Sequence, residues 1–233
     1  MDFQARTVVI TGGTGGLGTA VVEALLAAGA TCHIPYLVEA EAQAFRHRDH
    51  TQVKLYPQIN LTDEDAVVRF YQQMPKLWAS IHLAGGFAAG SINTAGKSVL
   101  AGQLDVNVVT CYLCCRGAVL AMATNPAGGR IVNVAARPAL EWRGGAGMAA
   151  YTASKAAVAA LTVALAEEVA KDAILVNAVA PSILDTPANR KSMPQADHAV
   201  WPKVEEVAQT ILFLASPANK VTRGAVVPVY GRV

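Results

Sequence analysis

The sequence predicts an α/β fold, a single domain in which a doubly wound parallel sheet lies between two layers of helices. Strand-like and helix-like segments alternate along all 233 residues, which is typical of βαβ units joined by right-handed crossovers. The composition agrees, since 53% of the residues are hydrophobic and 15% are charged, as a sheet covered on both faces requires. A glycine-rich run, TGGTGGLG (11–18), separates the first strand from the first helix. Because no linker or repeat interrupts the pattern, residues 1–233 are expected to form one Rossmann-like, dinucleotide-binding domain.

Each element is assigned from its local pattern. Seven strands are predicted from short apolar runs, at 7–10, 31–36, 53–59, 79–85, 129–135, 173–180 and 224–230. Six helices are predicted from the segments between them, at 17–28, 39–48, 63–74, 97–123, 148–171 and 204–215. Gly29 ends the first helix, and Thr62 is expected to cap the third. The irregular stretch 181–202 follows the sixth strand, at the edge where open α/β sheets bind ligands.

Charge and hydropathy argue against two classes of partner. The net charge is +2 and the basic residues are scattered, so no nucleic-acid footprint is expected. The most apolar long segment, 106–123, carries Arg116 and several polar residues, which predicts a buried or interface helix rather than a membrane span. The N-terminus lacks the apolar core of a signal peptide. The sequence therefore predicts a cytoplasmic protein that acts on a small molecule.

The four cysteines, at positions 32, 111, 114 and 115, raise the question of a metal site. Three of them lie close together, but no second pair of Cys or His stands at ligand spacing. The surrounding pattern is helical and apolar. We therefore interpret them as buried packing residues in a reducing compartment, and no metal is predicted.

The glycine loop is placed as a diphosphate-binding turn requires. Gly12, Gly16 and Gly18 allow backbone N–H groups to face a diphosphate at the positive end of the first helix. The expected contacts from this loop are Gly12, Thr14, Gly15, Gly16, Leu17 and Gly18.

Further motifs share the loop's pattern with a known family. They are HLAGG (82–86), DVNVVTCYLCCRGAV (105–119), YTASK (151–155) and NAVAPSILDT (177–186). Together they resemble the short-chain dehydrogenase/reductase family, over essentially the whole chain. The resemblance implies a catalytic set of Asn107, Tyr151 and Lys155. It also implies further cofactor contacts at Tyr36, Asn60, Leu61, Ala84, Gly85, Gly86, Tyr151, Lys155, Pro181, Ile183 and Thr186.

The choice between NAD and NADP stays open at this point. An acidic residue at the end of the second strand would accept the ribose hydroxyls of NAD, and an arginine would pair with the phosphate of NADP. The informative positions hold Tyr36 and Leu37, which are neither acidic nor basic.

Tyr151 and Lys155 are spaced for proton transfer. Residues four apart lie on one helix face, and a lysine ammonium is expected to lower the pKa of the phenol from its ordinary value of about 10. The resemblance implies that Asn107 supports Lys155 through a water molecule.

One part of the family's usual site is missing. Ala135 and Ala136 stand where most members have a serine that binds the substrate oxygen, and losing such a donor can cost a factor of about 10²–10³ in rate. The dihydropteridine reductase branch lacks this serine, and the chain resembles it at AGGF (84–87), at 139–158 and at LDTPANRKSMPQADHAVW (184–201). The chain departs from that branch at Phe87, where a tryptophan is usual, and at Tyr36, where an aspartate is usual. Expected substrate contacts are Phe87, Ala136, Arg137 and Arg190.

Three functions are consistent with these residues. The first is an NAD(P)-dependent reductase of a conjugated C=N or C=O acceptor. A quinonoid dihydropterin is one such acceptor, and its reduction forms no alkoxide. The second is a ketoreductase or alcohol dehydrogenase in which water or Arg137 replaces the serine. The third is a cofactor-binding regulator with little turnover. Alanine- and valine-rich helices at 106–123 and 149–170 predict a homodimer or homotetramer.

Overall fold

A seven-stranded parallel sheet organises the computed structural model, which describes residues 1–123 and 125–233. The strand order is β3-β2-β1-β4-β5-β6-β7, so the direction of winding reverses between β1 and β4. The strands are β1 (Thr7–Thr11), β2 (Thr31–Pro35), β3 (Val53–Tyr56), β4 (Leu77–His82), β5 (Gly129–Val134), β6 (Ile174–Pro181) and β7 (Val226–Val229). Ligands of open α/β sheets bind at the carboxyl end of such a switch point.

Helices cover both faces of the sheet. They are α1 (Gly16–Ala27), α2 (Glu39–Ala44), α3 (Glu64–Gln72), α4 (Lys97–Gln103), α5 (Thr110–Met122), α6 (Ala149–Glu168), α7 (Pro187–Ser192) and α8 (Val204–Ala215). Alternate residues of β1 point to opposite layers: Val8 and Ile10 pack with α1 and α8, whereas Val9 packs with α3, α5 and α6. The predicted fold class is thus confirmed.

Three local predictions need correction. The helix expected at 39–48 ends at Ala44, because Phe45 turns to extended backbone and buries its ring in the core. Thr62 does not cap α3; Asp63 does, since its Oδ1 accepts a hydrogen bond from the Ala66 N–H at 3.1 Å. The stretch 181–202 contains the short helix α7, which Thr186 caps by accepting from the Asn189 N–H at 3.2 Å.

The long helix expected at 97–123 is interrupted by a π-helical segment, Leu104–Val109, between α4 and α5. This wider turn carries Asn107, one of the predicted catalytic residues. Such segments are rare and often occur at functional sites. The Thr110 hydroxyl donates to the Val106 carbonyl at 2.7 Å, which ties the segment to the start of α5.

Two helical segments, Lys97–Met122 and Ala149–Glu168, are long and apolar enough to cross a membrane by length and composition alone. Both pack on the sheet: Met122 from the first and Val158 from the second are buried in the same core cluster. A core helix passes the same test, and 39% and 33% of the most apolar windows of these two segments are buried.

Candidate active site

The turn after β1 has the shape of an anion cradle. Gly12 has φ 65°, and a Cβ built there would lie 2.7 Å from the Ala84 nitrogen, so only glycine fits. Gly15 precedes α1 without a side-chain cap, which leaves the first N–H groups of this 12-residue helix free of a capping side chain. Free amides at a helix N-terminus suit a diphosphate. The residues present therefore fit a dinucleotide.

Two other segments border this cradle. The methyl group of Thr186 lies 3.3 Å from the position that a Cβ on Gly16 would take, which places the start of α7 against the loop. The Thr14 hydroxyl donates to Glu41 Oε2 at 3.4 Å. The loop thus contacts the cap of α7 and the first turn of α2.

Asn107 holds the loop after β4 in place. Its amide pairs with the backbone of Gly86, accepting from the N–H at 3.0 Å and donating to the carbonyl at 2.9 Å. The same amide nitrogen donates to Ser154 Oγ at 3.1 Å. A Cβ on Gly85 would lie 2.7 Å from Asn107 Oδ1 and 3.3 Å from Lys155 Nζ. Because Gly85 has no side chain, its backbone can lie close to both Asn107 and Lys155.

Lys155 is almost fully buried, with 8% of its surface exposed, and its Nζ donates to the Val134 carbonyl at 2.9 Å. Burial lowers the pKa of Lys155 to about 8. Burial also raises the pKa of Tyr151 to about 12, so the predicted lowering of the phenol pKa is not found in this structure. Desolvation causes this rise, and the Lys155 ammonium group bonds the Val134 carbonyl of β5.

An aromatic ring stands beside Tyr151. Phe87 packs edge-on against it, with ring centroids 4.9 Å apart, and leaves 61% of its own surface exposed. Ala135 and Ala136, at the end of β5, are buried. Among the described residues, no side-chain hydroxyl is hydrogen-bonded to the Tyr151 phenol. The Thr152 hydroxyl is buried without a partner, close to Gly145 rather than to the phenol.

Two predicted substrate residues are arginines that each pair with a carboxylate. Arg137 bonds Glu141 at 2.7 Å and the Val233 carbonyl at 3.0 Å, and its guanidinium lies over the ring of Tyr230. Arg190 pairs with Asp185 through two hydrogen bonds of 2.5 and 2.8 Å.

The remaining predicted cofactor residues lie along the carboxyl edge of the sheet. The Tyr36 hydroxyl donates to Glu39 Oε2 at 2.9 Å, and Asn60 Oδ1 accepts from the Thr62 backbone at 3.1 Å. Leu17 and Leu61 are partly buried in the two core clusters, and Pro181 is buried at the end of β6. Ile183 is 38% exposed.

One histidine neighbour of the cysteines was not predicted from the sequence. His82, at the end of β4, lies beside Cys111 and Cys115, and their ligand atoms are all within 4.8 Å of one another. We call these three residues the thiol–imidazole cluster. All four cysteines are free and buried, as predicted. The spacing of Cys111 and Cys115 places both on one face of α5, but the histidine comes from a strand far away in sequence.

The chain is similar to known proteins over most of its length. The model of the short chain dehydrogenase family matches residues 6–197. Cis-4-hydroxycyclohexanecarboxylate dehydrogenase of Sinomonas cyclohexanicum is 31% identical over 243 residues, which cover 98% of this chain and 96% of that protein. The 3-oxoacyl-acyl-carrier-protein reductase of Rickettsia bellii is 29% identical over 242 residues, which cover 99% and 98%. A solved structure of a short-chain dehydrogenase/reductase family protein shares 28% identity and a TM-score of 0.89, with 99% of this chain and 98% of that chain covered.

Proposed function

Because the chain belongs to the short-chain dehydrogenase family, and is an NAD(P)-dependent oxidoreductase, we propose that it reduces a flat, conjugated C=N or C=O acceptor. The observation that carries this proposal is the surface around Tyr151. An exposed ring, Phe87, stands edge-on to the phenol. Ala135 and Ala136, which the family resemblance aligns with a hydrogen-bonding serine, offer only buried methyl groups. A flat acceptor stacks well on an aromatic ring.

The missing hydroxyl favours the same class of acceptor. Reduction of a simple ketone develops charge on an alkoxide oxygen, and each preorganised donor there is worth a factor of about 10²–10³. A conjugated acceptor spreads that charge and can take its proton on nitrogen. It therefore depends less on a serine that Ala135 and Ala136 cannot replace.

In this proposal, Tyr151 gives the proton. A bound reduced nicotinamide supplies the hydride. With its pKa near 12, the phenol stays protonated at neutral pH, which suits a donor. Lys155, with a pKa near 8, keeps its positive charge at pH 7 and favours the phenolate that proton transfer leaves behind. Asn107 acts indirectly, since it holds the Gly86 backbone and Ser154 in place.

The narrower candidate is a quinonoid dihydropterin. It is supported by the resemblance of residues 184–201 to the dihydropteridine reductase branch and by the short helix α7, which brings Thr186 against the glycine loop. Phe87 supplies an aromatic face where that branch has a tryptophan.

We also propose that NAD is preferred over NADP. The carboxylates of Glu39 and Glu41 reach Tyr36 and Thr14 at the rim of the glycine loop. No lysine or arginine occurs in the sequence between Arg6 and Arg46. A ribose phosphate at this rim would meet two negative charges, whereas free ribose hydroxyls could donate to a carboxylate.

A ketoreductase is the second candidate, because the names of the relatives refer to 3-oxoacyl reduction and to a secondary alcohol. In that case water would have to bind the substrate oxygen, since Arg137 is held by Glu141 and Val233.

Steady-state turnover with quinonoid dihydropterin, a quinone and simple ketones, each with NADH and NADPH, tests these proposals. Tyr151→Phe is the control for mechanism. The conjugated acceptors should be reduced, faster with NADH, and the Phe variant should lose most of this activity. Preferential reduction of ketones would favour the second candidate. Binding of NADH without turnover of any acceptor would favour the regulator.

The proposed setting is a homo-oligomer in the cytoplasm. Tyr112 and Leu120 on α5 and Val163 on α6 expose more than two-fifths of their surface, which suits pairing of these helices across a two-fold axis. The four free cysteines suit a reducing compartment. Light scattering measures the molar mass of the wild type and of Leu120→Glu, and the variant should have the smaller mass. A monomeric wild type would contradict the proposed homo-oligomer.

A further inference from the structure

The thiol–imidazole cluster lies beneath the candidate active site and has no part in the proposed reaction. His82, Cys111 and Cys115 are each at most 5% exposed, and their ligand atoms converge within 4.8 Å. A fourth donor, Asn133 Oδ1, lies 2.8 Å from His82 Nδ1 and 3.5 Å from Cys115 Sγ. We propose that these four side chains bind one Zn²⁺ ion.

The distances suit a tetrahedral zinc ion. Zn–S bonds of about 2.3 Å and Zn–N bonds of about 2.0 Å place neighbouring ligand atoms roughly 3.3–3.8 Å apart. The Cys115 Sγ to His82 Nδ1 distance is 3.6 Å, and Cys115 Sγ to Asn133 Oδ1 is 3.5 Å. The His82 Nδ1 to Asn133 Oδ1 distance of 2.8 Å must widen by roughly 0.5 Å to meet that geometry. The separations of Cys111 Sγ from the other two ligand atoms of the cluster, which are within 4.8 Å, must close by roughly 1 Å.

Neighbouring side chains orient two of the donors. Ser80 Oγ lies 2.8 Å from His82 Nε2 and 2.8 Å from the Tyr71 hydroxyl. Ser80 Oγ can therefore accept a hydrogen bond from the protonated Nε2, which leaves the Nδ1 lone pair for the metal. The amide nitrogen of Asn133 donates to Thr162 Oγ1 at 2.9 Å, which directs Oδ1 into the cluster. Outer partners of this kind are usual for zinc-bound histidine.

The charge balance also favours this ion. Each cysteine loses its thiol proton to solvent on binding, while His82 stays neutral and only exchanges its protonated nitrogen. Two thiolates neutralise the two positive charges of zinc, so the buried site carries no net charge.

The site would be structural rather than catalytic. Four buried protein donors leave no open position for a substrate. Asn107, Cys111 and Cys115 are spaced four residues apart, so the metal would fasten this helical face to β4 and β5 just beneath Asn107.

Metal uptake tests the proposal independently of any turnover. The full chain is refolded with excess Zn²⁺ or Co²⁺, desalted, and analysed for metal content and for the thiolate-to-cobalt charge-transfer band. We expect one ion per chain, a charge-transfer band with cobalt, and a higher melting temperature with zinc than with chelator. Cys111→Ser and Cys115→Ser should lose the band.

Cys114→Ser is the matched control, since Cys114 is a buried thiol on the same helix outside the cluster. It should bind one ion with its spectrum unchanged. Ser80→Ala, which keeps every ligand, should weaken zinc binding by about 10–100-fold. The proposal is overturned if the refolded wild type takes up no metal, or if Cys111→Ser and Cys115→Ser bind as Cys114→Ser does. If these serine variants do not fold, the wild-type cobalt spectrum still decides, because a spectrum without thiolate charge transfer excludes the site.

Discussion

Gly85→Ala should damage the site without damaging the fold. The added Cβ would lie 2.7 Å from Asn107 Oδ1, where ordinary contact begins at 3.4 Å, so one of the two must move by about 0.7 Å. The same Cβ lies 3.3 Å from Lys155 Nζ. Because a misplacement of about 1 Å can cost a factor of about 10² in rate, we expect kcat/KM to fall roughly tenfold to a hundredfold.

The assay is NADH oxidation with a conjugated acceptor, alongside thermal unfolding. Gly102→Ala is the matched control: it makes the same change in α4, where no atom lies within 4 Å of the new Cβ. That variant should keep full activity and gain about 0.5–1 kcal/mol of stability from helix propensity.

A double variant identifies the cause of the loss. If the clash with the Asn107 amide is responsible, Gly85→Ala should cost much less in an Asn107→Ala background. Full activity in Gly85→Ala, or a loss that is unchanged in that background, would refute the proposed packing around Asn107.

Three further predictions concern the cofactor and the buried lysine. Gly12→Ala introduces a Cβ at φ 65°, 2.7 Å from the Ala84 nitrogen, so NADH affinity measured by fluorescence titration should fall more than about tenfold; unchanged affinity would remove the loop from the cofactor site. Replacing Glu39 and Glu41 with glutamine removes two charges, each of which repels the ribose phosphate of NADPH by about 1 kcal/mol. The ratio of kcat/KM with NADPH to that with NADH should therefore rise about tenfold or more, and an unchanged ratio would contradict the role of these carboxylates. Lys155→Met should abolish activity yet stabilise the protein at pH 7 by up to roughly 3 kcal/mol, because burial lowers the lysine pKa from 10.5 to about 8. Because the lysine pKa is lowered in the folded state, the charged lysine destabilises the folded wild type below about pH 8. The difference in free energy of unfolding between Lys155→Met and wild type, measured in urea, should therefore shrink as pH rises from about 8 towards 10.5. A difference that does not depend on pH would point to packing instead.

Local pattern and spacing were enough to predict the sheet and most of its helices. Each strand is buried on both faces of the sheet and is therefore a short apolar run, which can be recognised from the sequence alone. The spacing of four residues likewise places Tyr151 and Lys155 on one face of α6, independently of what packs around that helix. What these residues touch could not be predicted in the same way. That Lys155 bonds the Val134 carbonyl depends on how α6 is seated on β5.

The features that sequence reasoning missed depend on three-dimensional neighbours. The π-helical segment around Asn107 has no residue pattern that distinguishes it from an α-helix. His82 joins Cys111 and Cys115 only because β4 lies under α5, and linear ligand spacing cannot show this. Arg137 and Arg190 are plausible substrate residues by position, but Glu141 and Asp185 lie close enough to bind them.

Single-turnover kinetics test the central claim most directly. Enzyme saturated with NADH is mixed with quinonoid dihydropterin or with a simple ketone, and the loss of nicotinamide absorbance gives the rate of hydride transfer to each. We predict transfer to the conjugated acceptor at least about 100-fold faster than to the ketone, which is the rate effect expected of one missing oxyanion donor. Equal or faster transfer to the ketone would contradict the account, because it would show that the site needs no serine even where an alkoxide forms.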